Sequence, residues 1–243
     1  MARHLFIADL HLAPQRPDII QLFIQFLNHQ AAEAESLYIL GDLLEYWLGD
    51  DDPAEGLDNV FSSMRQRAEK GLKIYLMHGN RDFLMGEKLA ERAGCQLIED
   101  PCVVEFDHTP VLLMHGDTLC TDDTRYQELR LMLRNPAWQQ DFLGRSLEER
   151  QQMALALREQ SKQETREKDT EIMDVNENAV SRAFSNHRVP LLIHGHTHRP
   201  AVHELEVDQQ PVKRIVLGDW YTQGSVLEFN SPNDFNLKNF KAH

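Results

Sequence analysis

Three histidines stand within five residues at His194–Gly195–His196–Thr197–His198, directly after the apolar run Val189–Ile193. Four other apolar runs end in residues of the same chemical kind. "IADLH" carries Asp9 and His11, "ILGDLLE" carries Asp42, "MHGNRD" carries Asn80 and Arg81, and "LLMHGD" carries His115. Singly, each has an ordinary explanation: Gly-Asp or Gly-Asn after a strand makes a turn, and a lone strand-end histidine is more often a surface or core residue than a ligand. Five such ends in one chain are much harder to explain as turns. Carboxylate oxygen, imidazole nitrogen and one amide oxygen form a mixed N/O donor set without thiolate. Such a set suits Mn²⁺, Fe²⁺ or Zn²⁺ and not copper(I) or an iron–sulfur cluster. It also exceeds what one tetrahedral ion takes, whereas two ions sharing a bridging carboxylate would use it. Two ions ~3.5–4 Å apart serve hydrolysis at phosphorus, by polarising phosphoryl oxygens and activating water.

For these residues to meet, strands must end at one edge of the fold. The pattern predicts strands at His4–Asp9, Ser36–Asp42, Leu72–Asn80, Val103–Phe106 and Val111–His115, with helices over Asp18–Ala34, Leu57–Lys70 and Phe83–Ala93 between the early ones. After a gap, strands follow at Val189–Ile193, Ala201–Val207, Val212–Leu217 and Ser225–Phe229. This alternation is that of an α/β fold, where ligands bind outside the carboxyl ends of the strands. Residues 123–187 break it: they are polar, helical in character and without strand signal. From Arg125 to Asp169 they hold 9 Lys/Arg against 8 Asp/Glu, in a chain of net charge −14. We read them as a helical insertion, a cap on a single domain spanning residues 1–243. The apolar residues Leu129, Leu131, Met132, Leu133, Trp138, Phe142, Leu143, Leu147, Met153, Leu155 and Leu157 would line its inner face. Trp47 and the acidic run Asp50–Asp52 receive no chemical role and read as a solvated turn.

The net charge argues against non-specific nucleic-acid binding, which depends on Lys and Arg neutralising phosphates, but not against a phosphate-bearing substrate, because bound cations invert the local potential. Three cysteines without zinc-like pairing suit a reducing compartment. The N-terminal "MARHLFIADLHL" lacks the apolar core of a signal peptide, and no window approaches the ~18 apolar residues of a membrane span. The expectation is a cytoplasmic protein whose membrane contact, if any, is peripheral, with no sign of an obligate protein partner.

Asp9-x-His11, Gly41-Asp42, Gly79-Asn80, His115 and Gly195-His-Thr-His198 resemble, in residue and order, the five-block signature of the calcineurin-like metallophosphoesterases. The resemblance implies a β-sandwich flanked by helices, two Mn²⁺ ions (other divalent metals also fitting the donors), and phosphoester or pyrophosphate hydrolysis. Asp9, His11 and His198 would hold one ion, Asn80, His115 and His196 the other, and Asp42 would bridge both. Longer stretches, "YILGDLLEYWLGDDD", "HGNRDFLMG", "MHGDTLCTDD" and "HGHTHRPAVHEL", are similar to a branch of that family acting on UDP-2,3-diacylglucosamine in lipid A synthesis at the cytoplasmic face of the inner membrane. That similarity implies attack on the α-phosphorus, with UMP and 2,3-diacylglucosamine 1-phosphate as products. Asp42, Asn80, Arg81 and His196 would be catalytic, and Asn80, Arg81, Asp123, Ser161, Thr165, Lys168 and His196 would contact substrate. The family more generally carries histidine where Arg81 stands, and a guanidinium clamps phosphate but donates no useful proton. A phosphoesterase acting on another diester or monoester is the alternative reading. His194 falls outside the signature and is given no ligand role.

Overall fold

Alternate residues of the first strands face opposite ways, and both faces are apolar. In β1 (His4–Ile7) and β2 (Ser36–Leu40), Leu5, Ile7, Leu37 and Ile39 point to one side and Phe6, Tyr38 and Leu40 to the other. A strand buried on both faces needs a layer of structure on each. In the computed structural model, which describes residues 2–167 and 174–241 and only the backbone of 160–167, those layers are of different kinds. Helices α1 (Pro17–Asn28), α2 (Asp58–Glu69) and α3 (Glu87–Ala93) cover one face with Ile19, Phe23, Phe26, Phe61, Met64 and Leu89. A second sheet covers the other.

The first sheet also contains β3 (Lys73–Met77), β4 (Gln96–Ile98), β10 (Gly224–Ser231) and β11 (Asp234–Phe240), in the order β11-β10-β1-β2-β3-β4. The second is built from β5 (Cys102–Phe106), β6 (Thr109–Met114), β7 (Leu191–His194), β8 (Ala201–Val207) and β9 (Gln210–Val216), in the order β5-β6-β7-β9-β8. Phe6, Tyr38, Phe229, Leu113, Ile193 and Ile215 fill the space between the sheets. Helix α7 (Glu177–His187) packs Ala179, Val180 and Phe184 on the outer face of the second sheet, against Leu112, Leu192 and Val212. The expected sandwich flanked by helices is therefore present. Two strands escaped the sequence reading. β4 is three residues long, too short for a periodic signal, and β11 is mostly polar, with only Phe235, Leu237 and Phe240 apolar.

Between β6 and β7 run α4 (Thr124–Leu133), α5 (Pro136–Leu143), α6 (Leu147–Glu167) and α7. Their starts are local chemistry. The side chains of Asp123, Asn135 and Asn176 each accept an amide hydrogen from the first turn, and Pro136 begins α5, where its missing N–H costs nothing. No helix of the described residues is long and apolar enough to cross a membrane, and no disulfide forms among them.

Candidate active site

Strands β1, β2 and β3 are parallel neighbours, and so are β6, β7 and β9. Their carboxyl ends bring Asp9 and His11, Asp42, Asn80, His115, and His196 and His198 to one place. Backbone pairing continues past the strands to hold these ends together. Asp9 N–H donates to Gly41 O at 3.1 Å, His11 N–H to Asp42 O at 2.9 Å, and Gly195 N–H to His115 O at 2.9 Å. Asp9, His11, Asp42, His196 and His198 all have positive φ, from 49° to 67°. This left-handed region is uncommon for non-glycine residues and costs about 1–3 kcal/mol where the surroundings enforce it. Five such residues in one site mean that the fold holds the donors in place. The glycines beside them permit the close approach: a Cβ on Gly41 would strike His115 Nδ1, one on Gly79 would strike Asp42 Oδ1, and one on Gly195 would strike Asp9 Oδ2.

The donors form two adjoining groups. In one, His198 Nε2 lies 3.4 Å from Asp9 Oδ1 and His11 Nε2 lies 3.7 Å from Asp42 Oδ2. In the other, Asn80 Oδ1 lies 2.9 Å from His115 Nε2 and 3.0 Å from His196 Nδ1. Asp42 stands between the groups, with His115 Nε2 3.9 Å from its Oδ1. Of the six charged or imidazole donors, Asp9, His11, Asp42 and His115 are buried, and His196 and His198 are partly buried.

Burial sets the electrostatics. It pushes Asp42 up to about 7, against the pull of His115 and with the help of Asp82 and Asp9. It pushes His11 down to about 3 and His196 to about 4, so both imidazoles are neutral and able to ligate. It would lower His115 too, but Asp42, Asp117 and Asp9 outweigh it and raise that ring to about 9. Asp9 resists burial through His198 and stays ionised. The cluster thus calls for positive charge, and in a metal-free protein a proton on His115 supplies it.

This donor set fits divalent metal ions. Asp9 Oδ1 and both ring nitrogens of His11 are buried without hydrogen-bond partners, a cost of about 1–3 kcal/mol each unless something occupies the space between them. His115 Nδ1 lies 2.9 Å from Leu40 O, which leaves Nε2 to face the site. Asp9, His11 and His198, and again Asp9, Asp42 and His115, present ligand atoms within 4.8 Å of one another. Asp42 thus stands between two imidazole-bearing groups, a mixed N/O donor set suited to divalent cations.

Beside the site a narrow cavity of about 110 Å³ opens under the insertion. Asn80 and Arg81 stand in its wall with Leu129, Leu133, Trp138, Phe142, Leu155 and Leu157 of α4–α6, and with Trp47, Phe83 and Tyr126. Six of the eleven apolar insertion residues therefore face the cavity. Leu131, 71% exposed, and Met132 and Leu143 face outward instead. Asp123 caps α4 through a bond from Tyr126 N–H at 3.1 Å. The side chains of Ser161 and Thr165 lie outside what the structure describes, as does the whole of Lys168. His194 is buried behind the site, 3.1 Å from Arg214 Nη1, and is not one of the converging donors.

Several residues that shape the site have no signal in their own neighbourhoods. Asp82 is fully buried and accepts Gly79 N–H at 2.9 Å and Leu44 N–H at 3.1 Å, tying the loops after β2 and β3 together. Asp117 accepts Tyr126 O–H at 2.7 Å and Arg130 Nε–H at 2.6 Å, which docks α4 beside His115. Arg134 reaches Gly79 O at 2.9 Å, and Arg158 pairs with Glu45 at 2.6 Å. The run Asp50–Asp52 is not a solvated turn. Asp50 accepts the amide hydrogens of Gly86, Lys88 and Leu89 at the start of α3, Asp51 pairs with Arg150 of α6, and Asp52 accepts Ala54 N–H. Trp47 is a core residue with Nε1–H bonded to Asp50 at 3.2 Å.

Residues 2–200 match the family model described as calcineurin-like phosphoesterase. Among curated proteins, one from Stutzerimonas stutzeri named UDP-2,3-diacylglucosamine hydrolase is 49% identical over 224 residues, covering 92% of this chain and 93% of that one. Proteins of the same name from Pseudomonas aeruginosa (50% over 227 residues, 93% and 95% covered) and Stenotrophomonas maltophilia (47% over 234 residues, 93% and 94%) are similarly alike.

Proposed function

Because the chain belongs to the calcineurin-like phosphoesterase family, we propose that it hydrolyses the pyrophosphate bond of UDP-2,3-diacylglucosamine. Water adds at the α-phosphorus, giving UMP and 2,3-diacylglucosamine 1-phosphate. Relatives of that name, about half identical over nearly the whole chain, support this substrate. Asp9, His11 and His198 would hold one divalent ion, Asn80, His115 and His196 would hold the other, and Asp42 would serve both. Mn²⁺ is our assignment for both. Bound there, such ions polarise phosphoryl oxygens and make water a nucleophile near neutral pH.

The chain's own residues do the rest. Arg81, at the junction of donor cluster and apolar cavity, holds the phosphate that leaves and stabilises its growing charge. A guanidinium does this without giving up a proton, and a phosphate leaving group needs none. His196, beside Asn80, faces the scissile phosphate. Helices of residues 123–187 act as a cap whose inner apolar face shelters acyl chains and excludes water. Asp123, Ser161, Thr165 and Lys168 are assigned to the nucleotide-sugar on the likeness of their motifs alone. Outward-facing Leu131, Met132 and Leu143 support an approach to the lipid surface where such a substrate resides, at the cytoplasmic face of the inner membrane.

The observation that carries this reading is the junction itself: a buried two-part donor cluster opening, at Asn80 and Arg81, into an apolar cavity. Turnover of UDP-2,3-diacylglucosamine in detergent, with and without Mn²⁺ after chelation, tests it. Metal-dependent release of UMP is expected. Failure on that substrate alongside activity on a simple phosphodiester would instead favour a phosphoesterase of other specificity.

A further inference from the structure

A histidine that ligates a metal is normally oriented by a hydrogen bond from its second ring nitrogen. His115 obeys this through Leu40 O. His11 does not. Neither of its ring nitrogens has a hydrogen-bond partner, and the nearest carboxylates, Glu45 and Asp42, lie 3.6 and 3.7 Å away. Two rings flank it: His198 meets it edge-on, centroids 5.5 Å apart, and Tyr221 stacks parallel to it, centroids 5.6 Å apart and planes within 5°. Tyr221 also packs on His198, 5.4 Å away. It comes from the loop between β9 and β10, remote in sequence from both.

That loop is anchored with unusual care. Trp220 is fully buried beside Phe23 and Phe26 of α1, and its backbone N–H donates to Asp9 O at 3.1 Å. Arg16 then ties the two segments together. One guanidinium nitrogen donates to Leu10 O and His11 O at 3.2 and 3.0 Å, the other to Trp220 O and Tyr221 O at 2.7 and 3.2 Å. The same guanidinium lies 5.3 Å from the Tyr221 ring centre. Four carbonyls gathered by one cation lock the His11 backbone to the Tyr221 backbone, so the two rings keep their stack. Tyr221 itself remains 51% exposed. Its ring therefore contributes little to the core, and stability alone does not account for it.

We propose that Tyr221 is a positioning residue for His11: its ring supplies the orientation that hydrogen bonding supplies to His115, with Arg16 as the clamp. This rests on the two-ion reading above. It makes the ions unequal, since only the one held by His11 and His198 depends on Tyr221.

Calorimetric titration of the metal-free full-length chain with Mn²⁺ tests it. Wild type should bind two ions. Tyr221→Ala should weaken one of them about 10-fold or more, the size typical for loss of an outer partner, and leave the other unchanged. Tyr221→Phe, which keeps the ring, should bind both as wild type does. The melting temperature of metal-free Tyr221→Ala should match wild type. Two unaltered ions in Tyr221→Ala overturn the proposal. So does a uniform weakening accompanied by a lower metal-free melting temperature, or a Tyr221→Phe variant as impaired as Tyr221→Ala. A wild-type protein that fails to bind two ions overturns the two-ion reading itself.

Discussion

The backbone N–H of Arg81 donates to Oδ1 of Asp42 at 2.8 Å, so the carboxylate between the two donor groups is held by the residue that follows Asn80. The bond uses main chain, and the Arg81 side chain is free for another purpose. Arg81→Ala should therefore lower kcat about 10²–10³-fold, the usual range for removing one preorganised charge-stabilising donor, with metal stoichiometry unchanged. Arg81→Lys should recover only part, since an ammonium does not clamp phosphate bidentately. Loss of a metal ion from Arg81→Ala, by elemental analysis, would contradict this division of labour.

Asp42 links the chemistry to pH. Its folded pKa, near 7, lies above its ordinary value of 3.8, chiefly because it is buried. The folded metal-free protein therefore holds a proton that the unfolded chain has released, and this contribution to stability declines as pH rises between about 4 and about 7. At one pKa unit to about 1.4 kcal/mol, the penalty at pH 8 reaches at most about 4 kcal/mol. Asp42→Asn should remove it. Urea melts in chelator at pH 4 and pH 8 should show the variant gaining on wild type at the higher pH, while its turnover falls by several orders of magnitude. Equal pH slopes would show that Asp42 is not the group responsible.

Gly79→Ala should be disabling out of proportion to its size. The new methyl would collide with the Asp42 carboxylate and backbone nitrogen, and overpacking of this kind costs about 1–3 kcal/mol. Displacing Asp42 should cut activity at least about 100-fold. Gly144→Ala, at a helical φ of −73° with no contact below 3.4 Å, is the control. Thermal melts and turnover of the two variants side by side decide the point.

The insertion is latched to the body by Arg150, which is buried, donates to Leu48 O at 2.6 Å and pairs with Asp51 through both guanidinium nitrogens. Arg150→Ala should loosen α6. Amide exchange in residues 147–159 should accelerate, and turnover of the diacyl substrate should fall about tenfold more than that of a small phosphodiester. An equal loss on both would mean that the latch serves the donor cluster and not the cap.

How far the sequence reaches can be seen residue by residue. Asp9, His11, Asp42, Asn80, His115, His196 and His198 are legible as converging donors because each lies within five residues of the end of an apolar run, and buried strands announce themselves over a few residues. Their chemistry was legible because donor type is a property of the residue alone. The exclusion of His194 also followed from its place before the signature, and its contact with Arg214 accords with that. By contrast, Asp82 and Asp117 look like ordinary turn aspartates until their amide, phenol and guanidinium partners are seen. The contiguous Leu131–Met132–Leu133 puts apolar side chains on several sides of α4, so periodicity does not say which of them faces the cavity.

The sequence by itself thus determined the kind of donor, the order of the donor residues and the sheet edges that carry them, because these depend on residue type and short-range pattern. Only the tertiary structure decided how the donors are held: the left-handed backbone at five of them, the Asp82 and Asp117 ties, and the Arg16–Tyr221 clamp on His11. Those arrangements arise between segments up to about 200 residues apart in the chain. Backbone strain, ring stacking and carbonyl gathering are pairwise properties that exist only once packing has brought the partners together.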